Sequence, residues 1–166
     1  MRKPIIVLMA MFYLLSNAIG QELKSSYAIQ NVKTVQNLRP YEAMSNNGNK
    51  IVMYEHKAWQ CMTWDFIQIK GNIYTLKNQY TSKTIQSSET PAKIGSKLIQ
   101  EPLKSSDNQQ WEFIPFSNNN YLIRLKGTDL YITATEKTDN TPVLLQPKKP
   151  ADLLQVWRLI EQHPNS

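Results

Sequence analysis

Cysteine, histidine and glycine are scarce in this 166-residue chain, which holds one Cys, two His and five Gly. A lone Cys61 excludes an internal disulfide framework, so a fold in an oxidising compartment must rest on its apolar core. With only His56 and His163 beside that cysteine, no Cys/His cluster has zinc-ligand spacing. The sequence also lacks a Gly-rich phosphate loop and a Gly-x-Ser-x-Gly elbow. His56 and Cys61 fit no nucleophile motif, and a glycosidase would need a positioned carboxylate pair that no motif supplies. The expectation is a protein that is not an enzyme and needs neither metal nor cofactor.

Charge is sparse as well, at 19% of residues, and the formal net charge is +6. No Lys/Arg stripe of the kind that binds nucleic acid is present, the nearest run being Lys148-Lys149, which reads as a solvated turn. Long apolar runs are absent except for Ile5 to Leu15, about half of what a membrane-spanning helix needs. That run follows Arg2-Lys3 and precedes Ser16-Asn17-Ala18-Ile19-Gly20, a pattern that predicts a secretory signal peptide over residues 1–20. The mature chain is then 21–166, with a net charge of +4, no membrane span, and a secreted or periplasmic location.

What the sequence does contain is a threefold repeat. Trp64, Trp111 and Trp157 head the tetrapeptides WDFI, WEFI and WRLI. The same interval of about 47 residues relates Tyr27, Tyr74 and Tyr121, then Ile29, Leu76 and Ile123, then Leu38, Ile85 and Ile132. A later apolar position holds Ile51, Leu98 and Val143. Within each copy, apolar and polar residues alternate over four to six residues, with Asn-, Gly- and Pro-rich stretches between. The pattern predicts an all-β fold of roughly twelve short strands, four per copy. The copies span about 24–70, 71–117 and 118–164, in one domain over 21–166. A copy this short cannot bury its own apolar face, but three closing about an axis can. The three repeated tryptophans are therefore expected in the core, and Cys61 is read as a small buried residue.

Gln109-Gln110-Trp111 and Gln155-Val156-Trp157 are two instances of a Gln-x-Trp signature. With the threefold period, they make the mature chain resemble the R-type, ricin B-like lectin family. The resemblance implies a β-trefoil with up to three shallow carbohydrate sites, one per copy. It further implies an Asp in the first half of each copy, an aromatic platform, and an Asn-Gln pair before the Trp. Carboxylate and amide groups would bond sugar hydroxyls while the aromatic face packs the C–H side of the ring.

Carried onto this sequence, the platform of the first copy is Tyr54, with Arg39, Cys61 and Met62 in the other three places. Arg39, Glu55, His56 and Trp59 lie near enough in sequence to build a substitute site around Tyr54. Trp59 also has a packing alternative, as a lid over the barrel end. The second copy keeps Asn108 and Gln109, with Gln86 at the Asp position and Glu101 at the platform; Asn108 and Gln109 could equally satisfy backbone groups beside the core Trp. The third copy has Thr133, Gln146 and Leu154 in these roles, retains Gln155, and reads as structural. The expected function is non-catalytic, lectin-like binding of a glycan or polysaccharide, with the best site in the first copy. A protein partner gripped by loops such as Ser45 to Lys50 or Thr135 to Pro142 is the alternative, and attraction of acidic polysaccharide by the +4 surplus is a third.

Overall fold

The structure, a computed structural model, describes residues 22–165. The signal-peptide expectation for residues 1–20 lies outside the described residues. The twelve strands are β1 Ser26–Asn31, β2 Gln36–Pro40, β3 Ile51–Glu55, β4 Trp64–Lys70, β5 Ile73–Asn78, β6 Thr84–Ser87, β7 Leu98–Glu101, β8 Trp111–Ser117, β9 Asn120–Leu125, β10 Leu130–Thr133, β11 Leu144–Pro147 and β12 Val156–Glu161. Short 3-10 turns at Gln60–Met62, Asp107–Gln109 and Leu153–Gln155 lead into β4, β8 and β12. No helix among the described residues is long and apolar enough to cross a membrane.

Six strands close a barrel through antiparallel pairs β1–β4, β4–β5, β5–β8, β8–β9, β9–β12 and β12–β1. The remaining strands form three hairpins, β2–β3, β6–β7 and β10–β11, over one end. The fold is thus the expected all-β trefoil, with each copy contributing two barrel strands and one hairpin. Closure of the ring leaves no barrel edge unpaired.

Trp64, Trp111 and Trp157 are fully buried, together with Ile29, Leu76, Ile123, Leu38, Ile85 and Ile132. Removing about 200 Å² of each indole from water is worth on the order of 5 kcal/mol before entropy is counted. Each indole N–H also donates to the hairpin of its own copy: Trp64 Nε1 to Leu38 O at 3.2 Å, Trp111 Nε1 to Ile85 O at 3.1 Å, and Trp157 Nε1 to Ile132 O at 2.9 Å. At the other end the barrel is plugged by Tyr27, Phe66, Tyr74, Phe113 and Tyr121, packed edge to face. Leu159 stands where a third repeated Phe would be, and the Leu23 amide donates to Tyr74 Oη at 3.1 Å. Burial in this plug raises the Tyr27 and Tyr121 phenols above the usual tyrosine range.

The three hairpins grip one another in a ring. Gly48 N donates to Gln100 O and Gln100 N to Asn49 O; Gly95 N donates to Leu145 O and Leu145 N to Ser96 O; Asn140 N donates to Met53 O and Met53 N to Thr141 O. The gripping residue needs left-handed backbone in every copy, with φ of 74° at Gly48, 86° at Gly95 and 65° at Asn140. The loops 45–50 and 138–142 are therefore tied to neighbouring hairpins along their backbones.

Two stability predictions follow from this packing. Trp111→Phe leaves the Ile85 carbonyl unpaired beside a small cavity, and should cost about 2–4 kcal/mol in urea denaturation. Gly95 has open space where a Cβ would sit, so substitution there meets only backbone strain. Gly95→Ala should cost about 1 kcal/mol, and Gly95→Asn markedly less, since asparagine tolerates this conformation.

Candidate functional site

In the second and third copies, the Gln that precedes each core Trp closes the hairpin from below. Gln109 is fully buried; its Nε2 donates to Gln86 Oε1 and Pro102 O, both at 2.9 Å, and its Oε1 accepts from Lys104 N at 2.7 Å. Gln155 repeats this pattern with Thr133 Oγ1, Pro147 O and Lys149 N. The Gln109 amide, singled out from the sequence as a sugar contact, is thus out of solvent and bonded within the fold. The Oε1 of Gln86 is taken up by the same network. Asn108 is half-buried and donates to Thr90 Oγ1 at 3.1 Å, while Glu101 sits half-buried on β7. Of the residues predicted in the second copy, the structure bonds Gln86 to Gln109, while Asn108 turns to Thr90 and the Ser87 carbonyl.

The first copy is built differently because Met62, buried and without hydrogen-bonding groups, stands in the Gln position. The residue facing that position, equivalent to Gln86 and Thr133, is Arg39. Its guanidinium turns instead onto Tyr54, with Cζ 3.6 Å from the ring centroid. Nη2 donates to Asn140 Oδ1 at 3.0 Å, and Nε is buried without a partner. Trp59 stacks beside Tyr54 at 6.3 Å and 28°. One face of Tyr54 is thus occupied by Arg39, whereas Trp59 is 47% exposed and offers the open aromatic surface.

Polar groups lie close to Tyr54 in sequence on the same hairpin. Asn37 Nδ2 and His56 Nδ1 are in hydrogen-bond contact at 3.0 Å. Asn37 is itself fully buried and accepts from Gln30 Nε2. Glu55 is exposed and pairs with Lys57 at 3.0 Å, and its amide donates to Asp139 Oδ1. Asp139 and Asn140 belong to the third copy's loop and reach the first-copy hairpin through the grip at Met53. Neither was singled out from the sequence, which has them nearly a hundred residues away; the one available signal was asparagine at 140 where the other copies have glycine.

Next to Trp59 lies a cleft of about 250 Å³ lined by Ala43, Ala58, Gln60, Cys61 and Tyr80. Burial pushes the Cys61 thiol above its ordinary pKa, with Arg39 pulling weakly the other way. A second concavity of about 290 Å³, lined by Ile67, Ile69 and Leu103 together with Thr75, Lys104 and Gln110, holds none of the residues predicted for a site. Among the described residues no group of three or more His, Cys, Asp or Glu could hold a metal ion.

Gln109→Ala should destabilise the fold by about 1–3 kcal/mol, since it strands the Lys104 amide and the Pro102 carbonyl. Cys61, only 7% exposed in the wall of the cleft beside Trp59 and with its pKa raised, should react with a disulfide reagent at least about tenfold more slowly in the native protein than in urea; equal rates would contradict its placement.

The whole trefoil has close counterparts of known structure. A designed threefold-symmetric protein, ThreeFoil, superposes with a TM-score of 0.78 at 17% identity, covering 82% of this chain and 98% of that one. The ricin B-like lectin of Macrolepiota procera, solved in complex with lactose, gives 0.72 at 20% identity over 86% and 98%. An exo-beta-1,3-galactanase from Clostridium thermocellum gives 0.76 at 17% identity, over 84% of this chain but only 30% of its own. No curated protein matches the chain by sequence. The model of the ricin-type beta-trefoil lectin domain-like family matches residues 58–146, more than half of the chain, and with the closed trefoil and its repeated Gln-x-Trp closures this places the protein in that family.

Proposed function

We propose that the protein is a secreted or periplasmic, non-catalytic carbohydrate-binding protein whose working site is in the first copy. The observation that carries this reading is the half-exposed Trp59, stacked on Tyr54, whose ring also carries the Arg39 guanidinium bonded to Asn140. An exposed indole held in place by a second ring and flanked by donors and acceptors suits a pyranose, whose C–H face packs on the aromatic while its hydroxyls bond the rim. Family membership supports the same reading, as does the solution of relatives with lactose and with a sialylated galactose epitope. The signal-like sequence of residues 1–20 supports export. Asn108, Gln86 and Glu101 would form at most a secondary, weaker contact, since they lack an aromatic face.

A single open site of this kind binds weakly, because little area is buried against the cost of orienting the ligand. Retention then depends on repeated epitopes, so polysaccharides and multivalent glycan surfaces are the appropriate probes. Trp59→Ala should lower retention about tenfold or more on any glycan that binds the wild type, at a melting temperature changed by no more than about 2 °C, because the indole is half in solvent. Unchanged retention by Trp59→Ala would place the site elsewhere. Tyr54→Ala is the poorer test, as it also removes the surface on which Arg39 rests.

A further inference from the structure

We propose that the first-copy site takes a saccharide bearing a carboxylate, with the Arg39 guanidinium as the partner of that anion. The proposal rests on the carbohydrate-binding reading above and narrows its ligand class. Arg39 is 8% exposed, and among the described residues no carboxylate lies within ion-pair distance of it. Burying a cation without a counter-charge is expensive, and the usual remedy is a partner. The protein supplies only the face of Tyr54 and the neutral amide oxygen of Asn140, and Nε is left without any acceptor.

The deficit has a local cause. In the other copies the residue at this place is neutral and bonds the glutamine that precedes the core Trp, through Gln86 to Gln109 and Thr133 to Gln155. Met62 offers Arg39 nothing equivalent, so the guanidinium is charged, oriented and underused. The nearby acids do not fill the gap: Asp139 accepts from the Glu55 amide and from Gln36 Nε2, and Glu55 pairs with Lys57. Asn140, by contrast, is exposed and its side chain meets Arg39 through a single bond to a neutral amide oxygen, which a ligand carboxylate, as the stronger acceptor, can displace. The guanidinium fork would then receive two oxygens, as planar carboxylates prefer, while the sugar ring packs on Trp59.

The test uses the protein on four immobilised probes: polygalacturonic acid, its methyl ester, sialyllactose and lactose. The wild type should be held by one or both of the carboxylate-bearing probes at least about tenfold better than by the neutral partner of each; which acid is preferred identifies the source of the carboxylate. Asn140→Asp places a built-in carboxylate against Arg39 with little change of shape. It should lower retention on the acidic probe about tenfold while melting no lower than the wild type, whereas Lys148→Gln, an equal loss of charge at an exposed position, should change it less than about twofold. Equal retention on acidic and neutral probes would overturn the proposal and leave the carbohydrate reading standing. Full retention by Asn140→Asp, or an equal loss in Lys148→Gln, would overturn the assignment to Arg39. A folded wild type held by none of the four would overturn both readings.

Discussion

Three indole N–H groups reach three carbonyl oxygens, and the remaining architecture depends on those contacts. Each tryptophan is the first or second residue of the last strand of its copy in the barrel wall and donates to the hairpin of the same copy, so one side chain fixes barrel and cap together. Because the indole is fully buried, its N–H has no solvent to fall back on, and the hairpin carbonyl must stay where it is. Repeated three times, this holds the hairpins close enough for each to grip the next through paired backbone bonds. The result is a rigid cap without any disulfide.

Symmetry of this kind makes departures from it informative. Two copies use a glutamine below the hairpin and fill every one of its bonding groups with the fold's own partners. In the first copy methionine takes that place, the internal network is gone, and Arg39, Tyr54 and Trp59 rearrange into a stacked cluster at the surface. Packing is preserved because methionine fills the volume; polar satisfaction is not, and the orphaned Arg39 Nε is its residue. Binding chemistry can accumulate on such a position without weakening the core.

The layers of the barrel were legible in the sequence because packing about a threefold axis demands the same apolar residue type at the same interval. Trp64, Trp111 and Trp157, and the Tyr and Leu/Ile positions, announce themselves in this way. The role of Gln109 was not legible: a glutamine before a core tryptophan has the same sequence context whether it faces a sugar or ties down a loop. In the folded chain it is buried and ties down the loop at Lys104 and Pro102. Tyr54, read as the platform, supports its neighbours, and Trp59, the tryptophan outside the repeat, holds the open face.

By itself the sequence determined the number of copies, the strand content and the composition of the core, since these follow from periodicity and from the chain's need to bury apolar surface. Which residues meet around Tyr54 follows from the assembled fold alone. Asn140 and Asp139 arrive there from the third copy because the hairpin loops interlock around the axis, and no local pattern encodes a contact across a hundred residues. Whether Arg39 has a counter-charge is likewise a property of the assembled neighbourhood, set by Met62 beneath it and by the exposed loop beside it.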